Sequence, residues 1–283
     1  MMEKIGILVD STTLTRTEIS AYSFLKTVSL KVTVDGKEYG EHELSTEDMY
    51  HHLKTAKKLT TSQPAPGEFL EKYQEFYEEG YTAVFVVTLS EKISGTYQSA
   101  MIAKSMVDFP LEIQVFAPKV ASFGVANGIV LIADMVQEGK SFKEVTDRAI
   151  TVYENSAVMF TLSNLMHLFR GGRLGIVSAL LGTVLRIKPI IEMVDGKLQL
   201  THKTLTNQAC MEYFLSAIRK VCLQFKKVYL DIIHLNRPEW AEKLRQGVLD
   251  EFPSTKIHMT DYVSPVFFVH LGNQGFGVAI VAE

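Results

Sequence analysis

Hydrophobic positions recur along this chain with two different periods, and the places where the period switches mark out its elements. The run "KIGILVD", Lys4 to Asp10, is apolar through its centre and ends in Asp10, Ser11 and Thr12. It reads as a buried strand followed at once by polar capping residues, as parallel α/β units begin. Asp10 then stands at the carboxyl end of that strand, where such sheets place their ligands. From Gly67 to Glu79 the spacing becomes helical: Phe69, Leu70, Tyr73, Phe76 and Tyr77 share one face, Pro66 lies in the first turn and Gly80 is the stop. "TTSQ", residues 60–63, is thereby read as a loop entering this helix. "YTAVFVVTL" is a strand buried on both faces, "SEKISGTYQSAMIAKSM" turns helical after Gly95, and "IQVFAP" supplies another strand. A long helix runs from about Gly124 to Gln137, and Ser141 and Glu144 open the next with capping-box spacing.

After Ser156 the order changes. "AVMFTL" leads into "SNLMHLFRGGRLG", a small-residue helical stretch, and two extended runs around Asp195 and Gly196, a strong hairpin signal. A helix over 207–224, the run "KVYLDIIH", a helix beginning near Pro238, and the extended runs "KIHMTDY", "PVFFVHL" and "FGVAIVAE" complete the pattern. The predicted class is α/β in two domains: a mainly parallel sheet flanked by helices over 1–156, and an α+β domain over 157–283.

Composition narrows the picture. A chain of 283 residues with 47% hydrophobic content can bury a large core, and a formal net charge of -3 argues against a nucleic-acid grip built on a broad basic field. The N-terminal apolar run is too short for a signal peptide, and "GVANGIVLIADMV" is interrupted by Asp134, so neither segment is expected to enter a membrane. Cys210 and Cys222 fall on one helix roughly 18 Å apart, beyond disulfide reach, which fits a reducing cytoplasm.

Four polar groups remain as candidate chemistry. Thr60, Thr61 and Ser62 precede one helix, and Ser94, Gly95 and Thr96 another. A hydroxyl beside a helix N-terminus joins a side-chain donor to free backbone N–H groups, which suits an anion, although plain capping accounts for each loop alone. Arg170, Gly171, Gly172 and Arg173 form a basic, backbone-exposing break, and His270 closes "PVFFVH" before a Gly-rich turn. No metal site, nucleotide loop or cofactor motif is present.

Taken in order, "VDST", "TTSQPAPGEFLEKY", "LSEKISGTYQSA", "LFRGGRLG" with "LLGTVLRIKPII" and "DGKL", and "PVFFVHLGNQGFGV" resemble the successive signatures of the DegV family across essentially the whole chain. The resemblance implies a bacterial fatty-acid-binding protein of two α/β domains with the ligand between them. It further implies a carrier subunit, not itself an enzyme, that presents the acid to a fatty acid kinase for acyl phosphate formation. Thr61, Ser62, Ser94, Gly95 and His270 match positions that surround the carboxyl, with Arg170 near the same mouth. The apolar stretches "ASFGVANGIVLIADM", "VSALLGTVL" and "PVFFVHL" are expected to contribute to a tunnel. The expected partners are the fatty acid and the kinase, with no nucleic acid and no transmembrane segment, but with room for transient contact with a membrane surface.

Two departures stand out. Ala117, Pro118 and Lys119 replace the family's frequent Asp-Ser-Lys, and "THKTLTNQA" follows "DGKL" where relatives are richer in Arg and Lys. If that region docks the kinase through charge, docking is weakened here or rests on Arg173, His202 and Lys203. The rival reading is a serine hydrolase with Ser94 as nucleophile and His270 as base, which lacks a Gly-x-Ser-x-Gly elbow.

Overall fold

A computed structural model describes residues 3–14, 19–174 and 187–283. In chain order the first part comprises β1 (Ile5–Asp10), β2 (Leu25–Val28), β3 (Lys31–Val34), β4 (Lys37–Gly40), α1 (Thr46–Thr55), β5 (Leu59–Ser62), α2 (Pro66–Glu78), β6 (Ala83–Val87), α3 (Thr96–Ser105), β7 (Glu112–Phe116), α4 (Phe123–Gln137) and α5 (Phe142–Glu154). A parallel sheet in the order β2-β1-β6-β7 forms its centre. Successive side chains of a strand point to opposite faces. Ile5, Ile7 and Val9 therefore pack with Phe85 and Val87 against α4 and α5, while Leu8, Val84 and Val86 pack against α2 and α3. The continuous apolar runs are those of a sheet covered on both sides. Gly6 sets the approach of α2, because a Cβ there would enter the Phe76 ring.

Residues 31–62 also build a small antiparallel sheet, β4-β3-β5, that hydrophobic periodicity does not announce. The expected loop at "TTSQ" is corrected by it: Leu59–Ser62 is strand β5, with Thr61 opposite Val32 and Thr60 opposite Thr33. A four-residue strand is too short to display a period, and its β-branched threonines are held by a partner nearly thirty residues earlier.

The second part comprises β8 (Ser156–Leu162), α6 (Met166–Arg170), β9 (Lys188–Val194), β10 (Lys197–Thr204), α7 (Asn207–Gln224), β11 (Val228–Leu235), α8 (Pro238–Glu251), β12 (Lys256–Thr260), α9 (Pro265–Leu271) and β13 (Gly275–Ala282). Its six-stranded sheet runs β10-β9-β8-β13-β11-β12, antiparallel except for the β11–β12 pair. The β9–β10 turn has Asp195 at φ 48 and Gly196 at φ 77, the left-handed pair that a two-residue hairpin demands. Helices α7 and α8 cover one face of this sheet, burying Phe214, Ile218 and Leu244 against Phe276, Val278 and Ile280 of β13. The alternate residues of β13, Gly275, Gly277 and Ala279, point to the other face and carry almost no side chain there.

The segment "PVFFVHL" was expected to be extended and is helix α9 instead. A short apolar run does not distinguish the two periods, and here its flanks decide: Ser264 is the N-cap, Pro265 lies in the first turn, and Gly272 stops the helix at φ 78. "VSALLGTVL", residues 177–185, lies outside the described residues, as does most of the small-residue helical stretch. No described helix is long and apolar enough to cross a membrane.

Candidate functional site

Strand β5 and helix α9 meet between the two large sheets. Thr61 is directly opposite Val32, which is fully buried against α9, so the Thr61 side chain shares that inward face while Thr60 and Ser62 are exposed. The Thr61 hydroxyl lies 2.9 Å from Nε2 of His270. His270 is 9% exposed, and its Nδ1 is buried without a hydrogen-bond partner. Gly171 packs on that nitrogen so closely that a Cβ would collide with it. Burial, then the nearby Arg173 and His167, lowers the His270 pKa to about 4, so the ring is neutral at ordinary pH.

Helical spacing puts Phe267, His270 and Leu271 on one face of α9, whereas Phe268 is turned into the core edge-on to Tyr50. The start of α9 is anchored by a residue the sequence did not single out. Glu41 is 5% exposed; its Oε1 accepts hydrogen bonds from the Ser264 hydroxyl at 2.5 Å and from Val266 N at 2.9 Å. Its Oε2 accepts from the Ser11 hydroxyl at the end of β1. Burial raises the Glu41 pKa against these hydrogen bonds.

A pocket opens at this junction, with Thr61, Ser62, Gln63, Ser94, Arg173 and His270 as its polar lining. Ser94 lies 2.8 Å from the Thr96 hydroxyl and also accepts from Thr96 N at 3.3 Å, so part of its role is the capping that the loop alone suggests. Gly95 does not line the pocket; a Cβ there would collide with the Gln63 amide, so the glycine makes room for Gln63. Arg173 donates from Nε to the Ile93 carbonyl at 3.2 Å and from a terminal nitrogen to the Gly171 carbonyl. Arg170, expected at the mouth, is exposed and outside the lining. The paired glycines reverse the chain after α6, so it is the second arginine that returns over the pocket, and Arg173 is not left free on the surface. His202 and Lys203 are exposed on β10, with the His202 ring 4.3 Å from that of Tyr213.

Beside this pocket is a second cavity, between the two large sheets of the molecule. Its described lining is apolar apart from Ser122 and includes Val158, Phe160, Leu162, Met193 and the bare face of β13 at Gly275 and Gly277. Ile93, Leu198, Phe267 and Leu271 line both spaces, so the apolar cavity and the polar pocket share a wall. Of the stretches expected to form a tunnel, "ASFGVANGIVLIADM" contributes only Ala121 and Ser122, and its other apolar residues pack mainly against the first sheet. The strands β8 and β13, not singled out from sequence, provide much of the wall. The legible signal was the small-large alternation of "GFGVAIVA".

Asp10 is not free for a ligand. It is fully buried, accepts from Thr12 N, the Thr12 hydroxyl and Leu89 N, and has its pKa raised to about 6 by burial. The geometry does not support a hydrolase either: the Ser94 hydroxyl is engaged with Thr96, and Nε2 of His270 with Thr61. Among the described residues no group of three or more His, Cys, Asp or Glu is placed to hold a metal.

A family model described as an uncharacterised protein of the DegV family matches residues 4–283. A DegV domain-containing protein of Halalkalibacterium halodurans is 33% identical, with 100% of each chain covered. Among solved structures, a DegV family protein from Thermus thermophilus described for its fatty acid binding superposes with a TM-score of 0.90 at 26% identity, covering 99% of this chain and 100% of that one. DegV of Bacillus subtilis, described as a fatty acid binding protein, gives 0.88 at 26% identity with the same coverage. The parallel sheet flanked by helices and the further mixed sheet are thus the architecture of these proteins.

Proposed function

Because this chain belongs to the DegV family, we propose that it binds a long-chain fatty acid, with the tail in the apolar cavity and the carboxyl in the polar pocket. The carrying observation is the shared wall: Ile93, Leu198, Phe267 and Leu271 join a greasy space to one that holds the Thr61–His270 pair. Burying an acyl chain gains about 0.8 kcal/mol per CH₂, so roughly sixteen carbons offer about 12 kcal/mol gross. An enclosed carboxylate, in contrast, must find donors. Hydroxyls of Thr61 and Ser94, the Gln63 amide and the Arg173 guanidinium supply them, and Arg173 supplies the charge that neutral His270 does not.

The ligand head lies near the surface, since Ser62 and Gln63 are both exposed. This favours the carrier reading, in which a fatty acid kinase reaches the carboxyl and converts it to an acyl phosphate. The division at residues 156 and 157, a cytoplasmic location and docking through His202 and Lys203 belong to the same reading. Native mass spectrometry of the purified protein tests its core. One fatty acid per chain is expected, with Thr61→Ala or Ser94→Ala weakening retention. Protein that is empty and also rejects added fatty acids would overturn it, and rapid labelling of Ser94 by an activated ester would favour a hydrolase.

A further inference from the structure

Ser122 is the single polar side chain among the described residues that line the apolar cavity, and folding does not account for it. Its Oγ is buried and has no hydrogen-bond partner. It stands at the N-cap of α4 yet makes no capping bond, whereas Ser45, Ser141 and Thr206 each accept from the backbone of the helix they cap. Its backbone sits at φ 55 and ψ -130, a region glycine occupies without strain and other residues do not. Alanine here would avoid the orphaned hydroxyl, and glycine would avoid the strain as well. A serine that destabilises the free protein on both counts is explained if something in the cavity accepts its hydrogen bond.

Resting on the fatty-acid reading above, we propose that Ser122 donates to an oxygen carried on the acyl chain, so that the preferred ligand is a long-chain acid bearing a keto or hydroxyl group. A saturated chain leaves the hydroxyl orphaned. A double bond offers only a π-cloud, a weak acceptor. Ser122 is not among the residues shared with the carboxyl pocket, so the oxygen sits along the chain and away from the carboxyl.

Competition binding to the full chain tests this with octadecanoic acid, cis-octadecenoic acid, and oxo- and hydroxyoctadecanoic acids oxygenated at successive carbons. One mid-chain isomer is expected to bind the wild type about tenfold more tightly than octadecanoic acid, the worth of one recovered hydrogen bond. Ser122→Ala should abolish that advantage while binding octadecanoic acid at least as well. Ser122→Gly should do the same and raise Tm, since it also relieves the backbone. The proposal fails if no isomer gains, if the gain survives Ser122→Ala, if the Ser122-dependent preference is for the alkene, or if Ser122→Gly lowers Tm. Plain acids that bind while no oxygenated isomer shows a Ser122-dependent gain sink this inference alone. Failure of every acid to bind the wild type sinks the fatty-acid reading with it.

Discussion

At the residue scale the site turns on a few side chains whose orientation follows from local geometry. Thr61→Val keeps the shape of the side chain but removes the partner of His270 Nε2, leaving both ring nitrogens buried without hydrogen bonds. A buried polar group stripped of its partner costs about 1–3 kcal/mol, so denaturation should show a loss of that order, and calorimetric titration a drop of about tenfold or more in fatty acid affinity. The two arginines give a sharper contrast. Arg173→Met should weaken binding of the ionised acid strongly and Arg170→Met hardly at all, and equal effects would return Arg170 to the site. That Thr61, Ser62, Ser94 and His270 gather round one pocket was legible only through the order of the family motifs, since plain capping accounts for each hydroxyl loop alone and His270 alone reads as a strand end. The choice between Arg170 and Arg173 was not, because it depends on how the chain reverses at Gly171 and Gly172, with Gly172 at φ 70.

At the element scale the small sheet and α9 were the least legible parts, for a shared reason. Each is short, so its state is set by contacts distant in sequence. β5 needs β3, and α9 needs Glu41, whose partner Ser264 is 223 positions away. The continuously apolar strand β6 and the capped helices α5 and α7 declared themselves through local pattern alone. If Glu41 is what anchors α9, Glu41→Ala leaves the Ser11 and Ser264 hydroxyls and Val266 N without their acceptor. Stability should fall by about 3 kcal/mol or more. Amide exchange should quicken across 265–271 before it does elsewhere, and fatty acid affinity should fall, because His270 and Phe267 ride on that helix. Glu41→Gln, which keeps a carbonyl acceptor, should lie between the variants. Uniform exchange throughout the chain would show that Glu41 is only one more buried contact.

At the scale of the whole molecule, the three buried ionisable groups at the junction of the sheets pull stability in opposite directions with pH. Asp10 has its pKa raised from 3.8 to about 6, so its contribution is fully present below 3.8 and is lost as pH rises toward 6. Glu41 is shifted in the same direction. His270 is lowered from 6.5 to about 4, so its contribution is present above 6.5 and is lost as pH falls toward 4. The Asp10 and His270 shifts each correspond to about 3 kcal/mol, and across pH 4–6 they oppose each other. Asp10 and His270 alone would therefore leave the wild type nearly level in that window, and Glu41 tilts it toward the acid side. His270→Asn removes the rising component, and its unfolding free energy should decline from pH 4 to 6. Asp10→Asn removes a falling one, and its unfolding free energy should climb over the same range. Urea titrations at half-unit pH steps read both slopes directly; two variants that keep the profile of the wild type would mean that neither group carries the proton linkage assigned to it here.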